Sequence, residues 1–171
     1  MPTKLSIVID ADIARSSGLS EHPISSGSRK LLESVTQNGH SASMCPVLLD
    51  EWKKHRSLFA RKWLTSMIAK RRINFLKDIQ TEAKDFLENR IEDSALKEVA
   101  LKDVHLVDAA LCTHKLIASN DDRARNAFCT YSRHTGLWNE IAWVNAVSNS
   151  DFLLDYLKNQ TAIPIEHKLS Q

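Results

Sequence analysis

Leu5-Ser6-Ile7-Val8-Ile9-Asp10 is the stretch whose reading decides the fold. It is short, β-branched, apolar and stopped by an acid, the pattern of a strand buried on both faces. Working outward, Ser41–Met44, Leu116–Ala118 and Ile141–Val144 are further compact runs of this kind. Between them lie segments with helical periodicity. The spacing predicts helices over 29–37, 46–69, 79–90, 94–101, 104–114, 122–132 and 151–158. Ser28 would cap the first of these, Pro46 suits the first turn of the long second one, and Asp103 would cap the helix over 104–114. The Ser-rich stretch 16–28 reads as a loop. Strands alternating with helices predict one α/β domain, an α/β/α sandwich with a mainly parallel central sheet. That domain would cover 1–159, and 160–171 would be a flexible C-terminal tail.

The chain has 171 residues, 43% hydrophobic and 26% charged, enough for one core of ordinary size. Four Gly and four Pro exclude collagenous and low-complexity chains. Three Cys without a C-x-x-C argue against a disulfide framework or a Cys-type zinc site, and fit reduced thiols in a cytoplasmic protein. No apolar run is long enough to cross a membrane, and the first residues reach Asp10 too soon for a secretory leader. The net charge of +2 conceals an asymmetry. Residues 1–77 hold 13 Lys and Arg against 6 acids, whereas 78–171 hold 10 against 15. Nine of the basic residues lie from Lys53 to Lys77 with no acid among them, a pattern that suits a polyanion such as RNA or DNA.

In an open parallel sheet, ligands bind beyond the carboxyl ends of the strands. Asp10 follows the first strand, and Asp121 follows Leu116–Ala118 through Ser119 and Asn120, so both would reach one edge. Asp108 falls within the apolar stripe of Val104, Val107 and Leu111, where a carboxylate is expensive unless it meets a metal, a cation or hydrogen-bond donors. Glu51 borders the buried face marked by Leu48, Trp52, Phe59 and Trp63, with Lys54, Arg61, Lys62 and Arg72 within about 80° of its direction on a continuous helix. Four carboxylates without a Cys site or a His pair at ligand spacing point to a hard cation, Mg²⁺ or Mn²⁺. His105 lies on another helical face from Asp108 and reads as structural. No Gly-rich phosphate loop is present.

These segments, in this order, resemble the PIN-domain nucleases over about residues 5–147. SIVIDADIA resembles the family's opening strand and first Asp, and CPVLLDEWKKH its Pro-started helix with the second acid. VHLVDAALCTHKLIASNDDRARNAF resembles its helical Asp, strand and Ser/Thr-x-Asp, and IAWVNAV its last strand. The resemblance implies a Mg²⁺- or Mn²⁺-dependent endoribonuclease. Asp10, Glu51, Asp108 and Asp121 would be its catalytic and metal-holding acids, supported by Ser119, Asp12 and Asp122, with Asp122 an alternative fourth ligand. Lys54, Arg61, Lys62 and Arg72 would bind the nucleic-acid backbone. RNA, or DNA, would be the substrate. An antitoxin protein and a second copy of the chain are the partners the resemblance suggests, while a charged segment near 70–100 departs from the small toxins. Two other readings compete. Ile9-Asp10-Ala11-Asp12 also resembles the nucleophile motif of haloacid-dehalogenase phosphatases, although Ala14 stands where that motif wants Thr or Val. A non-catalytic binding module would keep the fold without the chemistry.

Overall fold

The computed structural model describes residues 2–170. Five parallel strands, β1 (Ser6–Ile9), β2 (Ser41–Met44), β3 (Ile73–Phe75), β4 (Leu116–Ala118) and β5 (Ala142–Val144), form one sheet in the order β3-β2-β1-β4-β5. Helices cover it as an α/β/α sandwich: α1 (Ala11–Ser16), α2 (Pro23–Gln37), α3 (Pro46–His55), α4 (Leu58–Ala69), α5 (Glu82–Arg90), α6 (Ala95–Leu111), α7 (Asp122–Tyr131) and α8 (Ser150–Asn159). β1 lies at the centre because it is apolar on both faces: Ile7, Val8 and Ile9 are all fully buried. It pairs through Ile7 with Ala42 of β2 and through Ile9 with Ala118 of β4. From β1 the chain builds outward through β2 to β3, then returns through α5 and α6 to place β4 on the other flank of β1. The carboxyl ends of β1 and β4 therefore border the point where the winding reverses, where open sheets leave a crevice.

Several helix boundaries differ from those the periodicity predicts. The expected helix over 46–69 is two. Arg56 is extended (ψ 136°), and the Ser57 hydroxyl accepts from the Ala60 amide to start α4 afresh. The Ser57 amide meanwhile donates to the Ala14 carbonyl at 2.9 Å, so the break is tied to α1. Conversely, the helices expected over 94–101 and 104–114 are one. Ser94, not Asp103, supplies the cap, accepting from the Lys97 amide at 3.1 Å. Much of the Ser-rich segment is helical as well. Pro23 sits in the first turn of α2, and Gly27 lies so close to the chain at 146 that an added Cβ would meet the Ala146 oxygen at 2.9 Å. Helix α1 and strand β3 were not expected at all.

Of the segment expected to be a flexible tail, 160–171, the last residue lies outside the described residues, and residues 167–169 are packed against the domain. The Leu169 side chain is fully buried and its amide donates to the Ile141 carbonyl at 3.0 Å. Lys168 bridges Ala142 on the edge strand β5 and pairs with Glu140, and the His167 ring stacks on Phe152 with centroids 4.2 Å apart. Among the described residues, no helix is long and apolar enough to cross a membrane.

Candidate functional site

Asp10 is the first residue past β1, and its amide continues the ladder by donating to the Ala118 carbonyl at 3.0 Å. Its side chain, 7% exposed, is held by the neighbouring strand end: Ser119 Oγ donates to Asp10 Oδ2 at 2.7 Å. The same hydroxyl accepts from the Asp121 amide at 3.1 Å, so Ser119 links both acids. Asp121 caps α7 by accepting from the Ala124 amide at 2.9 Å. Asp12, in the first turn of α1, accepts from the Asn120 amide at 3.0 Å through Oδ2, whereas its Oδ1 is buried without a hydrogen-bond partner. Glu51 is brought in by its neighbour Trp52, whose Nε1 donates to the Ile9 carbonyl at 2.9 Å and fastens α3 to the end of β1. Glu51 Oε2 accepts from His105 Nε2 at 3.0 Å.

Asp10, Asp12, Glu51 and Asp121 line a cavity of about 150 Å³. Its lining includes the carboxylates of Asp10, Asp12, Glu51, Asp103 and Asp121 together with Arg15, His55 and Lys102. Asp103, on α6, is the residue that sequence reasoning took for a helix cap. A signal for it existed: Ala100, Asp103, Val107 and Ala110 lie at helical spacing and are all buried. Asp12 is an expected supporting residue, and no sequence pattern marks Arg15, His55 or Lys102.

Burial raises the Asp10 carboxyl above its ordinary value of 3.8, with the bond from Ser119 acting against it. Asp12 is pushed up to about 8 by burial and then by the charges of Asp10 and Asp121. Asp103 is pushed up to about 7 by burial and then by the same two acids. The carboxylates therefore share one electrostatic environment in which full ionisation is costly without a counter-charge.

Asp108 is not part of this cavity, which corrects its expected place among the site acids. Its buried carboxylate accepts from the Ala83 amide at 2.8 Å and the Lys84 amide at 3.3 Å, capping the first turn of α5. Burial raises it to about 6, with those two bonds acting the other way. It met hydrogen-bond donors, one of the three ways an inward carboxylate is satisfied. Asp122 also points elsewhere, accepting from Asn145 Nδ2 at 3.1 Å, so Asp121 is the one that faces the cavity.

The basic residues expected to share a face with Glu51 are separated by the break at Ser57. Lys54 is on α3, and Arg61 and Lys62 are exposed on α4. Arg72 lies past α4, donating to the Thr36 carbonyl at 3.1 Å. Among the described residues, Lys54, Arg61, Lys62, Arg15 and Lys102 form no ion pair.

The five carboxylates offer a hard, all-oxygen donor set, and the orphaned Asp12 Oδ1 is an acceptor that a cation would satisfy. Among the described residues, no three acidic, His or Cys side chains are gathered closely enough to hold a metal ion as they stand. The donor types thus suit Mg²⁺ or Mn²⁺, and side-chain closure would have to accompany binding. No protein-family model, no curated protein and no solved structure matches this chain.

Proposed function

We propose that this chain is a Mg²⁺- or Mn²⁺-dependent nuclease that hydrolyses phosphodiester bonds, with single-stranded RNA as its first substrate class. The observation that carries the reading is the meeting of five carboxylates, one with an unpartnered buried oxygen and two, Asp12 and Asp103, raised to about 8 and about 7, at the crevice between the ends of β1 and β4. Such a cluster is costly to the fold, and a reaction needing a dication is the chemistry that accounts for it. When bound, the dication would lower the pKa of a water and neutralise the leaving oxyanion.

Asp10, Glu51, Asp103 and Asp121 are the residues that would hold it, with Asp12 as a fifth donor. Ser119 orients Asp10 and, through its backbone bond, the start of α7 with Asp121. Arg15 and Lys102 line the cavity and form no ion pair among the described residues, so they would take the phosphates on either side of the scissile bond. Lys54 of α3 and Arg61 and Lys62 of α4, which form no ion pair among the described residues, would extend that backbone-binding surface. The three cysteines are free, which suits a cytoplasmic protein. An antitoxin-type partner and a homodimer belong to this proposal only through the family resemblance.

The test is incubation of purified protein with end-labelled single-stranded RNA and DNA in Mn²⁺, Mg²⁺ or EDTA. Cleavage that requires metal and is lost in Asp10→Asn supports the reading. Metal-independent cleavage, or none on either polymer, overturns it. A covalent phosphoryl group on Asp10 after incubation with a phosphomonoester would instead indicate the phosphatase reading.

A further inference from the structure

His105 makes a contact that the nuclease reading does not use. It sits on α6, 9% exposed, two residues beyond Asp103, and among the described residues its one side-chain hydrogen bond runs from Nε2 to Glu51 Oε2 at 3.0 Å. Glu51 comes from α3, and among the described residues its side chain has no other hydrogen-bond partner. Its Oε1 makes no bond, and the side chain is one-third exposed. Unlike Asp10, Asp12 and Asp121, Glu51 is not held by a hydroxyl or a backbone amide. A flexible Glu beside Asp10, whose charge repels it, would turn away from the cavity unless something held it in place. Glu51 lines the cavity with one oxygen anchored on a buried imidazole and the other without a partner among the described residues.

We propose that His105 is a positioning residue: by holding Glu51 Oε2 it presents Oε1 to the dication, and so sets the affinity of the site for metal. This rests on the metal-dependent reading above, and it goes beyond that reading in assigning a task to a residue outside the acid cluster. The bond also spans two helices on different crossovers, α3 and α6, so it keeps Glu51 and Asp103 in step with each other. A partner that orients a metal-binding side chain characteristically changes metal affinity by about 10- to 100-fold when removed.

The test is Mn²⁺ affinity by isothermal titration calorimetry on the nucleic-acid-free protein, in wild type, His105→Phe, His105→Gln and His105→Asn. Phe keeps the ring and the packing but has no donor. Gln can place an amide nitrogen near the position of Nε2, and Asn is too short to do so. The expected result is a loss of about 10- to 100-fold in affinity for His105→Phe and His105→Asn, with His105→Gln close to wild type. Circular dichroism establishes that each variant is folded. If His105→Phe does not fold, the contrast between Gln and Asn still decides. Wild-type affinity in His105→Asn, or equal loss in Gln and Asn, overturns the positioning role and leaves the metal site standing. A wild type that takes up no Mn²⁺ overturns both.

Discussion

Replacing Asp103 with Asn separates the cavity read from the structure from the one read from sequence. The folded protein holds a proton on Asp103 up to about pH 7, against 3.8 for an ordinary Asp, because burial and the charges of Asp10 and Asp121 oppose ionisation. A carboxyl whose folded pKa is raised binds more protons in the folded state than in the unfolded one across that window. Stability therefore falls as pH rises from about 4 to about 7. At pH 8 the whole penalty is present, and a rise from 3.8 to about 7 corresponds to a ceiling of about 4 kcal/mol. The cavity opens to solvent, which screens the repulsion, and the Asn amide must itself be desolvated, so about half of that ceiling, ~2 kcal/mol, is the working figure. For a chain of this size that amounts to a rise in Tm of about 4–8 °C.

The assay is thermal unfolding of wild type and Asp103→Asn in EDTA at pH 8 and pH 4, beside cleavage in Mn²⁺. The variant should melt higher than wild type at pH 8 and with little difference at pH 4. It should also lose at least about 100-fold in kcat/KM, the scale of removing one preorganised partner of the reacting charge. Asp108→Asn is the companion. Its carboxylate serves α5, so cleavage should stay near the wild-type level. Undiminished cleavage by Asp103→Asn, or loss of cleavage in a folded Asp108→Asn, would refute the assignment of the third acid. A lower Tm at pH 8 for Asp103→Asn would refute the electrostatic argument.

Arg15→Gln with Lys102→Gln should weaken binding of a single-stranded RNA and reduce its salt slope by about 1.4, at ~0.7 for each lost phosphate contact; an unchanged slope in filter binding would remove both from the substrate path. His40 is buried, accepting from the Leu5 amide at Nδ1 (3.0 Å) and bonding to the Leu157 carbonyl at Nε2 (2.6 Å), and burial lowers its pKa. Protonation would turn Nδ1 into a donor facing the Leu5 amide. Stability from this residue should therefore be full above its ordinary value of 6.5 and fall as pH drops below it, a slope that urea melts should find absent in His40→Ala. Deleting 165–171 removes buried Leu169, and should cost about 2 kcal/mol, or about 4–8 °C in Tm; an unchanged Tm would mean that the packing contributes nothing.

The strands were legible because a central parallel strand has little freedom in its composition. Burial on both faces demands a short apolar run, and an acid or a turn residue then marks its end. β2 and β4 have the bounds read from sequence, and Asp10 and Asp121 meet at one edge for the same reason. The helix ends were less legible. Ser57 breaks a helix while Asp103 does not, although both are good capping residues. What separates them is tertiary: the Ser57 amide has a partner in the Ala14 carbonyl outside its helix, and Ser94 already supplies the cap for α6. The third acid was misplaced by related physics. Asp103 and Asp108 both lie inward on α6, and periodicity detects burial without saying what a buried carboxylate faces. Five residues apart on one helix they differ by about 7.5 Å along the axis and about 140° around it. One therefore reaches the crevice beyond β1 and β4, and the other reaches the amides that open α5. The site then differs from an ordinary structural arrangement in one respect. Asp108 is repaid by two backbone donors, whereas Asp12 keeps a buried oxygen with no hydrogen-bond partner among the described residues, facing the charges of Asp10 and Asp121. A folded chain retains that imbalance at a cost to its stability, and a bound cation is the species whose charge would remove it.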